Sequence, residues 1–274
     1  MTDELLTSFL FVPGSRPDRI AKALSSGADA VIVDLEDAVK VDEKKSARQS
    51  VACFLKSNKD SRVLIRVNSS DSHEHEEDLA LCRDADNVFG VMLPKASHRP
   101  EIEYVANQTG KPVWPLVESA SGVAALPDLI TAVGVTRLSI GALDLAADLE
   151  LVYPTGGCEK VLDFCRAQIV LYSKIGGLAP PIESVVPTIN EVQEISRVAT
   201  QAKQMGFGGM LAIHPNQLPE IHRAFHPSQA EVDWAERVIS GSKKYGSIFQ
   251  IDGKMVDAPV IKSAKRIIAR SDRA

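Results

Sequence analysis

Cysteine is scarce in this chain: Cys53, Cys82, Cys158 and Cys165 are four among 274 residues, with no Cys-x-x-Cys spacing. That argues against a structural zinc site and against a disulfide-stapled secreted scaffold. Cys158 and Cys165 lie two helical turns apart and read as reduced packing residues. No long lysine/arginine block occurs and the formal net charge is −5, so nucleic acid is not an expected partner. The longest apolar runs, such as ADAVIVDL, are far too short to span a bilayer, and no membrane association is expected. The first residues, MTDELLTSFLFVPGSRP, carry acids where a signal peptide carries bases. A cytoplasmic protein is the expectation. No G-x-G-x-x-G opens the first crossover, which removes the main argument for a dinucleotide fold.

What the chain does contain is a rhythm. With 45% hydrophobic residues, it can bury a core as one large domain or two small ones. Short β-branched runs recur: SFLFVPG (8–14), AVIVDLE (30–36), RVLIRVN (62–68), GVMLPK (90–95), PVWPLVE (112–118), TRLSIGA (136–142), GLAPPIE (177–183) and GGMLAIHP (208–215). Helical patterns alternate with them, among them PDRIAKALSS with Pro17 at its start, KKSARQSVACFLKS and NEVQEISRVATQAKQM. Strand–helix alternation at this spacing implies parallel strands, and eight such strands predict an α/β fold of the (β/α)₈ TIM-barrel type. The barrel is expected over residues 1–226. Residues 227–274 form an extension: a helix, a hairpin turning on Asp252-Gly253, and a closing helix beginning near Pro259. Its apolar positions Val260, Ile261, Ala264, Ile267 and Ile268 are spaced to bury one helical face, on its own barrel or on a neighbour's. The pairs Gly156-Gly157, Gly176-Gly177 and Gly208-Gly209 read as turns or close approaches.

In such a barrel, chemistry gathers where strands end. Glu118 ends the fifth run and Asp144 follows the sixth. Neighbouring strands lie ~4.8 Å apart, so the two carboxylates can share a divalent cation. Oxygen ligands without histidine or cysteine favour Mg²⁺ or Mn²⁺. The competing reading makes both acids helix caps. Arg66 ends the third run, where a guanidinium needs an anion to meet. Glu36 and Asp37 end the second and either serve a helix dipole or hold metal-bound water. Asp34 is barrel interior or an arginine's partner. Arg16 and Lys22 are placed near the start of the first helix, where basic groups suit phosphate; the alternative is solvated surface. His73 and His75 in SHEHEED read as a solvated loop. His214 is pocket wall or a packed, hydrogen-bonded histidine.

Taken in order, FVPGSRPDRIAKAL, DLEDAV, RVN, PLVES, GALDLAADL, GFGGMLAIHPNQ and DGKMVDAP resemble the citrate lyase β-subunit family of the aldolase/citrate lyase superfamily, over about residues 8–270. The resemblance implies Mg²⁺ on Glu118 and Asp144, and contacts to substrate or coenzyme A from Phe11, Arg16, Lys22, Arg66 and Glu118. It also implies a homotrimer or higher homo-oligomer in which Asp257 reaches a neighbour's site as the catalytic carboxylate, with Arg66 as its partner in catalysis. The implied activity is cleavage of a 3-hydroxyacyl-CoA of citryl, malyl or citramalyl type to acetyl-CoA, or a homologue, and a 2-oxo acid, or the reverse. Alternatives are a malate-synthase-like condensing enzyme or thioesterase, an aldolase on free 2-oxo acids, and a non-catalytic scaffold. Partner subunits of a citrate lyase complex are a further expectation. Lys95 is the one strand-end lysine that would suit a Schiff base, which the metal acids make unnecessary. Glu183, where the family commonly has aspartate, and Pro187 depart from the pattern in a loop expected to touch the acyl-CoA.

Overall fold

The computed structural model describes residues 5–271. Eight parallel strands close into a barrel in chain order. They are β1 (Ser8–Pro13), β2 (Ala30–Asp34), β3 (Val63–Arg66), β4 (Val88–Leu93), β5 (Val113–Val117), β6 (Arg137–Ile140), β7 (Ala179–Glu183) and β8 (Gly209–Ala212). Each of the eight predicted runs overlaps one strand, with β4 beginning two residues before its run. Around them lie α1 (Pro17–Leu24), α2 (Lys44–Ser57), α3 (His75–Asp84), α4 (Arg99–Thr109), α5 (Ala120–Ala124), α6 (Leu126–Leu129), α7 (Ala142–Asp148), α8 (Gly156–Ile175) and α9 (Val192–Met205). Strand β8 returns to β1, with Ser8 opposite Met210 and Leu10 opposite Ala212. Closure satisfies the strand edges that an open sheet would expose.

Alternation along the strands decides what points inward. Phe9, Ile32, Leu64, Met92, Trp114, Leu116, Ile182 and Leu211 meet in one buried cluster, and Phe9 meets Trp114 edge-on at 5.5 Å. Arg137 joins them, its guanidinium 4.9 Å from the Phe9 ring centroid and donating to the Pro180 and Leu6 carbonyls at 2.7 and 3.1 Å. Counting on by two from each of these residues gives the next inward layer. Gly209 permits the closure: a Cβ there would come within 2.5 Å of the Thr7 carbonyl oxygen.

Helix ends follow local chemistry. Thr155 caps α8, its Oγ1 accepting from the Cys158 N–H, so Gly156 and Gly157 open a helix and do not form a turn. The SHEHEED segment is not a solvated loop either. His75 begins α3 and is buried, its Nδ1 2.7 Å from the Asn68 carbonyl, while His73 is exposed. Asp78, Leu79 and Cys82 on the same helix are also buried, and that inward face draws the segment into helix. All four cysteines are free. Among the described residues no helix is long and apolar enough to cross a membrane.

The chain divides into two compact units, Met1–Ile221 and His222–Ala274. The division falls within α10 (Leu218–Phe225), a few residues before the boundary read from sequence. The second unit contains α11 (Gln229–Tyr245), the antiparallel hairpin β9 (Phe249–Ile251) and β10 (Lys254–Val256), and α12 (Ala258–Ser271). Ser228 and Glu231 form a capping box at α11. Asp252 and Gly253 turn the hairpin with φ of 51° and 75°, the left-handed pair that a tight two-residue turn requires. Within this unit the partly buried Val260, Ile261, Ile267 and Ile268 of α12 pack with Ala264 of the same helix around Ala235, Val238 and Val256.

Candidate active site at the barrel mouth

Past the inward layer of Phe9, Ile32, Leu64 and Trp114, a cavity of ≈ 460 Å³ opens, a size suited to a small ligand. Its wall continues the alternation: Phe11 and Pro13 from β1, Asp34 from β2, Arg66 from β3, Leu116 and Glu118 from β5. Leu211 of β8 joins them, Gly141, Ser184 and Ile213 extend the wall just after β6, β7 and β8, and Asp37, Ala38, Leu143, Asp144 and Val185 complete it.

Arg66 is anchored before any ligand arrives. Its Nε and Nη2 donate to the two oxygens of Asp34 at 2.8 and 2.6 Å. Nη1 stands 3.2 Å from Glu36 and 3.5 Å from Asp37, and the guanidinium carbon lies 4.9 Å from the Phe11 ring centroid. Burial works against the charge, but these carboxylates outweigh it and raise the guanidinium pKa. Asp34 is thus both barrel interior and an arginine's partner.

Glu118 is 3% exposed. Burial pushes its carboxyl up to about 8; the Lys95 N–H opposes this, while Glu36 and Asp144 push it further up. Its Oε1 accepts from the Lys95 backbone N–H at 2.8 Å. Oε2 faces Gly141, where a Cβ would come within 2.5 Å of it. Glycine at 141 therefore provides the space that Glu118 occupies. The helix-cap reading of Glu118 fails because Ser119 caps α5, its Oγ accepting from the Gly122 N–H. Asp144 lies in the first turn of α7 and makes no cap hydrogen bond.

From sequence, Lys95 is only a Schiff-base candidate. Its Nζ instead donates to Glu36 Oε1 at 2.6 Å, and its φ of 52° turns its own N–H onto Glu118. Such backbone is uncommon for a residue with a side chain. Glu36 is buried and its pKa is raised by that burial, against the charges of Arg66 and Lys95. Its Oε2 stands close to Arg66 but makes no aligned hydrogen bond. Neither Glu36 nor Asp37 serves a helix dipole, since α2 begins only at Lys44.

The loop carrying these acids is braced from behind. Lys44 Nζ donates to the carbonyls of Leu35 and Glu36, each at 3.0 Å, and to Asn68 Oδ1. Asn68 in turn donates through Nδ2 to Asp78 at 2.6 Å, and Arg48 holds the other Asp78 oxygen at 2.9 Å. Lys44→Met should loosen residues 35–39, because two backbone carbonyls lose a charged donor, at a cost of about 1–3 kcal/mol. Hydrogen–deuterium exchange would read this as faster exchange confined to that loop. Unchanged protection there would show that the ammonium does not hold it.

Other predicted residues lie elsewhere. Arg16 is exposed beside the first turn of α1 and grips Asp18 at 2.9 and 2.8 Å. Lys22 is in the last turn of α1, not near its start. Glu183 faces away from the cavity and is buried against Arg166 of α8 at 3.0 Å. His214 accepts from the Asn216 N–H through Nδ1 at 3.2 Å, the hydrogen-bonded alternative, while Ile213 supplies the wall. Asp257 belongs to the second unit, where its Oδ1 accepts from the Val260 N–H at 3.3 Å at the start of α12.

The donor set at the mouth fits a hard cation. Glu118 and Asp144 offer carboxylate oxygen only, and among the described residues no cluster of three or more His, Cys, Asp or Glu forms a closed cage. Mg²⁺ is commonly held by one or two carboxylates, with water and substrate completing its octahedron. Burial raises the Glu118 pKa first and repulsion from Glu36 and Asp144 adds to it, and a divalent ion would relieve that repulsion.

The HpcH/HpaI aldolase/citrate lyase family model matches residues 7–215. Over 271 residues, 97% of this chain and 96% of the relative, the chain is 32% identical to the citrate lyase subunit beta-like protein of Mycobacterium tuberculosis. It is 29% identical to the (3S)-malyl-CoA thioesterase of Cereibacter sphaeroides, across 97% of this chain and 94% of that one. Its fold is similar to that of CitE from Mycobacterium tuberculosis in a crystal structure with magnesium, acetoacetate and coenzyme A. The TM-score is 0.87 at 29% identity, covering 98% and 99% of the two chains.

Proposed function

Because the chain belongs to the HpcH/HpaI aldolase/citrate lyase family, we propose that it is a Mg²⁺-dependent carbon–carbon lyase. Its substrate would be a 3-hydroxyacyl-CoA, cleaved to acetyl-CoA or a homologue and a 2-oxo acid. The observation that carries this reading is the placing of Glu118 and Asp144 on one cavity with the anchored Arg66. Mn²⁺ would serve in place of Mg²⁺, and a cytoplasmic location is part of the proposal.

Glu118 and Asp144 would hold the cation, which acts as a Lewis acid toward the hydroxyl and carboxylate that become the 2-oxo acid. Arg66 Nη1 would face the developing negative charge, its plane fixed by Asp34 so that little reorganisation is needed. Glu36 and Asp37 would orient water at the cation's open positions. In the cleavage the hydroxyl loses its proton and its oxygen becomes the new carbonyl. The carbon–carbon bond breaks toward the thioester, and a carboxylic acid protonates the resulting enolate carbon. Asp257 of a neighbouring subunit is assigned both transfers: as carboxylate it would take the hydroxyl proton, and as the resulting acid it would give that proton to the carbon. Phe11, Arg16 and Lys22 would bind the coenzyme A portion, with Arg16 leaving Asp18 to meet phosphate.

The oligomer proposed is a homotrimer, with citrate lyase subunits as further candidate partners. Mixed oligomers of inactive Asp257→Ala and inactive Glu118→Ala chains should then regain part of the activity, because some sites draw an intact residue from each chain. Subunit exchange under mild denaturant, with mixing confirmed by native mass spectrometry, checks this. Mixed oligomers without activity would refute a shared site.

The relative named as a thioesterase supports a second reading, hydrolysis of the same ester class. A panel of hydroxyacyl-CoA esters incubated with Mg²⁺ separates the two by mass spectrometry. A shorter acyl-CoA plus a 2-oxo acid is the expected product pair. Free coenzyme A plus the hydroxy acid would establish hydrolysis instead.

A further inference from the structure

Among the described residues, four carboxylates line the cavity, Asp34, Asp37, Glu118 and Asp144, against a single cation, Arg66. That cation is committed to Asp34 and, in the lyase reading, to the reacting oxygen. Both Asp34 oxygens hold it, and its remaining nitrogen lies between Glu36 and Asp37. Lys95, beside Glu118, gives its ammonium to Glu36 at 2.6 Å. Ser184 Oγ accepts from the Ala142 N–H at 3.0 Å and brings no charge. The rest of the wall is largely hydrocarbon, from Phe11, Leu116, Leu143, Val185, Leu211 and Ile213.

A cation on Glu118 and Asp144 would receive one carboxylate, the one adjoining the reacting hydroxyl. A second carboxylate would leave water for a wall of largely apolar side chains with no free positive partner among the described residues that line it. It would also stand near Asp37, the wall carboxylate left without a full counter-charge once the cation offsets Glu118 and Asp144 and Arg66 offsets Asp34. A hydrogen or a short alkyl group meets the opposite situation, since it loses only hydration water and gains apolar contact.

We infer that the hydroxyacyl substrate carries a single carboxylate, with hydrogen or a short alkyl group as its other substituent, and releases a 2-oxo acid of the glyoxylate, pyruvate or 2-oxobutanoate type. An oxaloacetate-type product is disfavoured. The inference rests on the lyase reading and narrows the class of ester within it.

Isothermal titration calorimetry of the wild-type full-length chain, with Mg²⁺ and coenzyme A present, tests it without relying on turnover. Pyruvate is expected to bind at least tenfold more tightly than oxaloacetate, a difference of about 1.4 kcal/mol, and EDTA should abolish binding of both. In parallel, kcat/KM should favour citramalyl-CoA over citryl-CoA by at least tenfold. Oxaloacetate binding as tightly as pyruvate, or a preference for citryl-CoA, would overturn the inference and leave the lyase reading standing. Absence of Mg²⁺-dependent binding by either acid would overturn both.

Discussion

A Glu118→Gln protein is expected to lose turnover by about a hundredfold or more, the scale seen when a group stabilising transition-state charge is removed. It should also bind Mg²⁺ far more weakly. The amide fits the space left by Gly141 and still accepts from the Lys95 N–H, so the fold should persist. What it lacks is the second anionic oxygen. In the metal-free protein the Glu118 carboxyl lies near 8, well above its unfolded value of about 4.3. The native state therefore holds a proton that the unfolded state releases between those values. The contribution of this group to stability is fully present below about pH 4.3 and is lost as pH rises through about 8. Mg²⁺ must displace the same proton, so wild-type affinity should climb with pH and level off above about 8. Calorimetric titration at several pH values reads the slope directly. A glutamine variant with wild-type affinity, or one with the same pH slope, would remove Glu118 from the metal assignment.

Arg66 is expected to show two separable effects. In Arg66→Met, Asp34 is left 2% exposed without its partner, and an uncompensated buried charge costs about 3–5 kcal/mol. Pairing that change with Asp34→Leu should restore much of the stability without restoring turnover, because the charge leaves together with its partner. Arg66→Lys keeps the charge but replaces a planar fork with a point donor, so it should lower kcat by tenfold or more while the chain still folds. Denaturant midpoints and kcat measured on the three variants separate the roles. Near wild-type turnover in the lysine variant would make Arg66 purely structural.

Much of this site was written in strand parity. Leu64 points inward, so Arg66 does; Trp114 and Leu116 point inward, so Glu118 does. The same count assigns the wall after β7 to Ser184, two beyond Ile182, and turns Glu183 outward to Arg166. It also selects Ile213 over His214 at β8. The signal was available there, but an acid or a histidine at a strand end attracts attention regardless of its face, and a slip of one residue reverses the side.

The sequence by itself determined the eight strands, their parallel order, the Asp252-Gly253 turn and the mouth as the place for Glu118 and Arg66. These depend on periodicity and on local backbone preference, which act over a few residues. Tertiary structure alone decided that Asp34 holds Arg66, that Lys95 joins Glu36 to Glu118, that Lys44 braces the loop and that α12 packs within its own unit. The polar contacts among these join residues separated along the chain, from 8 positions for Lys44 and Glu36 to 59 for Lys95 and Glu36. All of them depend on which side chains meet once the barrel closes and the helices pack. Their strength comes from burial, which does not exist until the fold does.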